Sequence, residues 1–240
     1  KYGIDTSDQA IRAAVEQHNE VCRLIRAIGD FRKEANPRVT GYEFHILTMV
    51  SYVAPKHLIV DKLRETLEEI KTREPDAADK YRARVVFVGS EVDDVDVIRL
   101  VEESGAYVCA DRFCYGSLPG RDEILLNDDE DVVKQVCRQV QGRAQCPRYW
   151  DMAKMTGRRD YVADLAKEYG ADGIIYEQMK FCDPWAYERM IGTIVLRDEH
   201  GYPVLAVDRP YSIGSSGQMR TRVQAFVESI EIKKIQGGKK

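Results

Sequence analysis

The chain has 240 residues, 44% hydrophobic and 32% charged, which is typical of one large or two small soluble domains. Its net charge of −4 excludes the basic footprint of a nucleic-acid-binding protein. No apolar run approaches the roughly 20 residues that cross a bilayer, and Lys1–Thr6 lacks the apolar core of a signal peptide. We therefore expect a cytoplasmic chain with no nucleic-acid or membrane partner. Because it begins with Lys1 rather than Met, we expect a fragment or a processed piece.

The first third of the sequence predicts helices. A capping sequence at Thr6 precedes an apolar stripe at helical spacing, so the first helix is expected to reach about Lys33. A second helix is expected after Gly41, and a third that ends before Pro75. We interpret residues 1–80 as a helical segment that links to a missing N-terminal domain.

From Arg84 onward, short apolar runs alternate with amphipathic stretches. Val85–Val88 is apolar throughout, as is typical of a parallel strand buried on both faces. Alternating strands and helices favour an α/β fold with a doubly wound, mostly parallel sheet, Rossmann- or flavodoxin-like, over residues 81–240. The predicted strands are 85–88, 107–110, 173–176 and 204–207.

The six cysteines fall into two groups of three. With no targeting segment and no CxxC pair, they indicate a reducing compartment and no disulfide framework. Three lie on apolar stripes or in an apolar strand, and we expect them to pack in the core as small hydrophobic side chains. They are Cys22, Cys109 and Cys137, whereas Cys114, Cys146 and Cys182 lie in predicted loops.

Cys182 has the most informative surroundings. It follows a predicted strand, and ligands bind at the carboxyl ends of strands in open α/β sheets. Asp183 and Pro184 fit the N-cap and first position of the next helix, whose positive end would favour a Cys182 thiolate. A thiolate can attack electrophiles or bind iron. A half-buried free cysteine on an ordinary loop is the alternative.

Loops that follow parallel strands meet at one edge of the sheet, so Cys114, Cys146 and Cys182 could converge. Three thiolates there would suit an iron–sulfur cluster or another soft metal; the alternative is three unrelated cysteines. The turn from Ser215 to Arg222 could hold an anion on its backbone N–H groups, or could be an ordinary helix start. The sequence contains no Walker motif and no GxGxxG after its first strand.

Several motifs of this chain resemble the benzoyl-CoA reductase and 2-hydroxyacyl-CoA dehydratase family. The most specific are Gln178-Met179-Lys180-Phe181-Cys182-Asp183-Pro184 and the later Gly217-Gln218-Met219-Arg220-Thr221-Arg222. The resemblance covers essentially the whole chain in the same order. Further matching segments are Asn19–Arg23, Asp111–Ser117, Cys146–Arg148 and Gly170–Ile175.

The resemblance implies an oxygen-sensitive subunit that pairs with a homologous subunit in a heterodimer and carries a [4Fe–4S] cluster. A separate ATP-hydrolysing iron–sulfur activator would supply a low-potential electron, so ATP would act only through that partner. The acceptor would be a CoA thioester. It is either an aryl-CoA whose ring is reduced or a 2-hydroxyacyl-CoA that is dehydrated through a ketyl radical.

The resemblance also implies a ligand set. Family members hold each cluster through three cysteines. The last of the three lies in the Lys-Phe-Cys-Asp-Pro motif, and it corresponds to Cys182 in this chain. The other two belong to an N-terminal domain that this chain is expected to lack. Cys114 or Cys146 could substitute for them, an expectation that rests on the predicted loops and not on the family.

We expect four further residues of the matching motifs to lie beside the cofactor. They are Gln178, Lys180, Gly217 and Gln218.

The leading hypothesis for the function is a [4Fe–4S] subunit of an ATP-dependent benzoyl-CoA reductase-type oxidoreductase. One alternative is a component of a 2-hydroxyacyl-CoA dehydratase, a lyase, and another is a cluster-free structural subunit.

Overall fold

A computed structural model gives the structure of the chain and describes residues 3–75, 80–114, 116–117, 122–149, 151–211 and 216–237. Two residues of the predicted loops, Tyr115 and Ser215, lie outside these ranges. The elements are α1 (Asp8–Asp30), a 3₁₀ turn (Phe31–Lys33), α2 (Gly41–Val53), α3 (Lys56–Thr72), β1 (Ala83–Gly89), α4 (Val95–Glu103), β2 (Ala106–Phe113), α5 (Val132–Arg143), α6 (Met152–Glu168), β3 (Gly173–Met179), α7 (Asp183–Asp198), β4 (Val204–Arg209) and α8 (Ser216–Gly237).

The four strands form one parallel sheet in the order β2-β1-β3-β4. Apolar clusters cover both faces, one with α4 and α8 and the other with α6 and α7. The predicted doubly wound α/β fold is therefore confirmed. Strand order reverses between β1 and β3, so the carboxyl ends of these two strands flank the crevice in which such sheets bind ligands.

The three N-terminal helices have a core of their own. Ser7 caps α1, and Thr40 and Glu43 form a reciprocal capping box at α2. The buried faces of α1, α2 and α3 then meet in a separate apolar cluster, which includes Ile28, Phe44 and Leu63. The predicted helical segment is confirmed, whereas its division from the rest as a domain stays a prediction.

Buried polar groups join this helical segment to the sheet. The guanidinium of Arg32 forms an ion pair with the carboxylate of Asp111 on β2 at 3.2 Å, and both side chains are buried. The Glu102 carboxylate on α4 accepts hydrogen bonds from the backbone N–H groups of Gly41 and Tyr42 at the start of α2. These contacts fix α1–α3 against the β2 edge of the sheet.

The buried Glu102 predicts a pH dependence of stability. Burial raises the pKa of Glu102 from 4.5 to about 7, so between those values the folded state binds more protons than the unfolded state. Stability should then fall as pH rises through this window, by roughly 1.4 kcal/mol per pH unit and about 3 kcal/mol in all. Urea unfolding at pH 5 and pH 7.5 measures this fall, which Glu102→Gln should reduce by that amount. Identical pH profiles for the two proteins would contradict the assignment.

One of the three predicted core cysteines is not in the core. Cys22 and Cys109 are buried, as expected, and the Cys109 thiol donates to the carbonyl of Val85. Cys137 is exposed, and its stripe neighbours Val133 and Val140 are about half exposed. The prediction for Cys137 is wrong because this face of α5 is largely exposed to solvent and leaves Cys137 outside the core.

Within the described residues, no helix combines the length and the apolar character needed to cross a bilayer.

Candidate functional site

A buried carboxylate lies where the strand order reverses. Glu177, near the end of β3, accepts hydrogen bonds from the backbone N–H and the hydroxyl of Ser90, just after β1. It also forms an ion pair with Arg209 of β4 at 2.8 Å. Burial raises the pKa of Glu177 to about 7, and the Arg209 charge opposes that rise. Glu177 therefore ties the ends of β1, β3 and β4 together.

This packing leaves no room for a side chain at Gly89. A Cβ there would lie 2.3 Å from the backbone oxygen of Glu177, closer than atoms can approach. We expect Gly89→Ala to lower the free energy of unfolding by about 1–3 kcal/mol, because the backbone must move. Gly142→Ala is the matched control, since no atom lies within 4 Å of its added Cβ. Gly142 is helical, so its replacement should stabilise by about 0.5–1 kcal/mol in the same urea titration. Equal effects at the two positions would contradict the close approach.

Cys182 lies at the carboxyl edge of the sheet and caps α7. Its carbonyl accepts the first helical hydrogen bond, from the N–H of Ala186, so the N-cap is Cys182 rather than the predicted Asp183. The preceding Phe181 adopts a positive φ of 71° and is 96% exposed. This turn places the half-buried Cys182 thiol at the amino end of the helix.

The amino end of α7 lowers the pKa of the Cys182 thiol as predicted, but burial raises this pKa by more. A hydrogen bond from the backbone N–H of Trp185 and the charge of Arg148 both lower the pKa of the Cys182 thiol. Burial is the larger effect, with Glu91 and Cys146 adding to it, so the pKa of Cys182 is raised overall. The expectation of a favoured thiolate is therefore wrong for the protein without a bound metal.

Two of the three loop cysteines, Cys114 and Cys146, line the same cavity. Burial raises the pKa of Cys114 to about 11, and Cys146 and Cys182 add to the rise. Cys146, also half-buried, accepts a hydrogen bond from Arg148 at 3.7 Å. Cys114 and Cys146 therefore lie close to one cavity, whereas the convergence of all three thiols on one ligand stays a prediction.

Trp185 connects two of these thiols, and the sequence analysis did not identify it. Its backbone N–H bonds to the Cys182 thiol, and its indole N–H donates to the Cys114 sulfur at 2.9 Å. The ring is buried against the guanidinium of Arg112, 4.7 Å from the ring centre. The only signal of this contact in the sequence was the position of Trp185, three residues after the motif cysteine Cys182.

The described residues do not form a complete metal site. None of the groups of His, Cys, Asp and Glu side chains in the described ranges brings three ligands together around one point. Cys114 is further engaged by the Trp185 indole. The donor chemistry of Cys182, a soft sulfur beside a helix end, fits one ligand of an iron–sulfur cluster. The three thiols as arranged do not fit a complete cluster.

The four other predicted cofactor-side residues lie near the same edge of the sheet. The Gln178 side chain accepts a hydrogen bond from Arg189 of α7, and the exposed Lys180 lies 4.0 Å from Asp208. The remaining two, Gly217 and Gln218, are exposed in the first turn of α8.

Comparison with known proteins covers nearly the whole chain. Residues 1–230 match the family model described as 2-hydroxyglutaryl-CoA dehydratase, D-component. The (R)-phenyllactyl-CoA dehydratase beta subunit of Clostridium sporogenes is 25% identical over 230 residues, 95% of this chain and 59% of that protein. One of the benzoyl-CoA reductase subunits of Thauera aromatica is 23% identical over 235 residues, 96% of this chain and 59% of that protein.

A further relative is the beta subunit of the (R)-2-hydroxyglutaryl-CoA dehydratase of Acidaminococcus fermentans, 25% identical over 233 residues, 95% of this chain and 59% of that protein. The chain thus spans about three-fifths of the length of each of these relatives. All three are named as subunits of enzymes that act on CoA thioesters. The chain belongs to the 2-hydroxyglutaryl-CoA dehydratase D-component family.

Proposed function

We propose that this chain is part of an iron–sulfur subunit that passes low-potential electrons to a CoA thioester. In this proposal an ATP-hydrolysing iron–sulfur activator supplies the electrons, and the chain forms a heterodimer with a homologous subunit. The observation that carries the proposal is the placement of Cys182 on the ligand-binding edge of the sheet, at the start of α7.

Cys182 would supply one thiolate ligand to the cluster. We propose that the other ligands come from residues beyond these 240, because no three-ligand group exists among the described residues. When bound, the cluster would transfer single electrons, as [4Fe–4S] centres do. Cys114 stays a second ligand candidate only if the indole of Trp185 moves away from its sulfur.

This chain's own residues would hold the ligand thiol in place and keep it dry. The buried Trp185 ring lies beside both Cys182 and Cys114, and its backbone N–H would donate to a Cys182 thiolate. Such a hydrogen bond stabilises the negative charge of a thiolate ligand. The Arg148 side chain adds a positive charge nearby. These groups would raise the cluster potential relative to a bare thiolate environment.

The net reaction has two candidates. The segment Cys182-Asp183-Pro184-Trp185 resembles the corresponding segment of benzoyl-CoA reductases, and this resemblance favours ring reduction of an aryl-CoA as the first candidate. The family description and two of the three relatives name dehydratases, which favours dehydration of a 2-hydroxyacyl-CoA as the second candidate.

Product analysis separates these candidates. The anaerobic heteromeric enzyme, its ATPase activator and ATP would be offered benzoyl-CoA and (R)-phenyllactyl-CoA in separate reactions. Ring reduction adds two electrons and two protons to the aryl group, whereas dehydration removes one water, and mass spectrometry distinguishes the two. We expect one of these products, formed only with ATP. An iron-loaded enzyme that yields neither would contradict the proposal.

A further inference from the structure

A cavity of about 530 Å³ lies beside the ends of β2 and α5. This size is within the range of small-molecule sites. Its lining residues include Arg112, Cys114 and Cys146. Apolar side chains of Ile124 and Val140 form another part of the wall. The cavity therefore combines a charged group with an apolar surface.

Arg112 differs from the other buried arginines of the protein. Five arginine side chains are buried in the described residues, and a buried charge is costly unless a countercharge accompanies it. Four have a buried carboxylate partner within 4.0 Å. These pairs are Arg32 with Asp111, Arg158 and Arg159 with Glu188, and Arg209 with Glu177.

For Arg112, which is 1% exposed, no carboxylate of the described residues lies within that distance. Its Nε and Nη2 donate to the side-chain and backbone oxygens of Gln145. Its Nη1 is buried and has no hydrogen-bond partner in the described part of the chain. An anion at Nη1 would supply both the missing acceptor and the missing countercharge.

A second cation, Arg143, lines the same cavity. His18 also lines it, but burial and the charges of Lys56 and Arg143 lower the pKa of His18, so the imidazole adds no positive charge at neutral pH. One carboxylate, Asp122, also lines the wall. The positive groups thus outnumber the negative one around the cavity, which favours an anionic ligand over a cation.

We propose that this cavity binds the carboxylate of a small organic acid, with Nη1 of Arg112 donating a hydrogen bond to a carboxylate oxygen. One buried guanidinium matches the single negative charge of a carboxylate, whereas a phosphate dianion would leave a buried charge uncompensated. The apolar wall would receive the carbon chain. The carboxylate site needs no bound cluster, so it goes beyond the proposed electron transfer. A negative result for the carboxylate site would not contradict the electron-transfer proposal, and a negative result for electron transfer would not contradict the site.

Protection of the cavity cysteines tests this site in the metal-free, reduced 240-residue chain. Butanoate, a monocarboxylate, is the probe and its neutral amide, butanamide, is the matched control; iodoacetamide labelling is followed by peptide mass spectrometry. Butanoate at about nine times its Kd should slow labelling of Cys114 and Cys146 about ten-fold, as mass action predicts. The exposed Cys137 is the internal reference and should not change.

Three results would overturn the proposal. They are equal labelling with butanoate and butanamide, slowing of Cys137 to the same extent, and protection by inorganic phosphate as strong as by butanoate. Isothermal titration calorimetry of the unmodified chain with butanoate provides a second readout that does not depend on the cysteines.

The variant Arg112→Gln should abolish protection, while Arg138→Gln should keep it. Arg138 is a suitable control because it is exposed on α5 and pairs with Glu130 outside the cavity. If Arg112→Gln fails to fold, the comparison of butanoate with butanamide on the unmodified chain still decides the question. Full protection in a folded Arg112→Gln protein would contradict the role of Arg112.

Discussion

Replacing Cys182 by alanine is expected to remove the iron and acid-labile sulfide from the anaerobically purified heteromeric enzyme. A [4Fe–4S] cluster held by thiolates depends on each of them, because ligand binding supplies the free energy of assembly. Iron content and the visible absorption of the cluster should both fall to background, while the circular dichroism of the protein stays unchanged.

Cys137→Ala is the matched control for that experiment. Cys137 is exposed on α5, away from the sheet edge, so its replacement should retain the full iron content. It should also change the free energy of unfolding by less than about 0.5 kcal/mol, as exposed substitutions usually do. Retention of iron by the Cys182 variant would show that Cys182 is not a ligand.

Replacing Glu188 by glutamine is expected to lower the free energy of unfolding by about 3–5 kcal/mol. The Glu188 carboxylate lies on α7 and is 4% exposed. It pairs with Arg158 at 3.1 Å and Arg159 at 3.0 Å, both on α6. The neutral variant would leave two buried guanidinium groups without a countercharge, which makes this one of the costliest single changes in the chain.

Urea unfolding at pH 7 measures the effect, and Glu199→Gln is its control on the same helix. Glu199 is exposed at the carboxyl end of α7, so its change should cost less than about 0.5 kcal/mol. A loss below about 1 kcal/mol in Glu188→Gln would mean that the three side chains are solvated in solution. The anchoring of α7 on α6 would then need another explanation.

The order of helices and strands could be predicted from the sequence because apolar periodicity is a local signal. The run Val85–Val88 is fully buried in β1, as its composition predicted. The predicted strand ends were too early. β2 continues to Phe113 and β3 to Met179, because the polar residues Asp111 and Glu177 are buried there with distant partners. Periodicity within a segment carries no information about such partners.

The same limit explains the outcome for the candidate site. Parallel strands share one carboxyl edge, so the positions of Cys114 after β2 and Cys182 after β3 at that edge could be predicted from topology. The roles of Trp185 and Arg112 could not, because each depends on contacts between residues more than 30 positions apart. For Cys137 the stripe on α5 predicted an apolar face correctly, but a stripe does not say whether another element covers it.

The most direct test of the central claim is the iron and acid-labile sulfide content of two anaerobically purified proteins. One is the 240-residue chain, and the other carries an N-terminal extension that brings it to the length of its relatives. If Cys182 is one ligand of a cluster completed by residues beyond this chain, only the extended protein should hold about four irons and four sulfides. A stable cluster in the 240-residue chain alone would contradict this account and place all the ligands among its own residues.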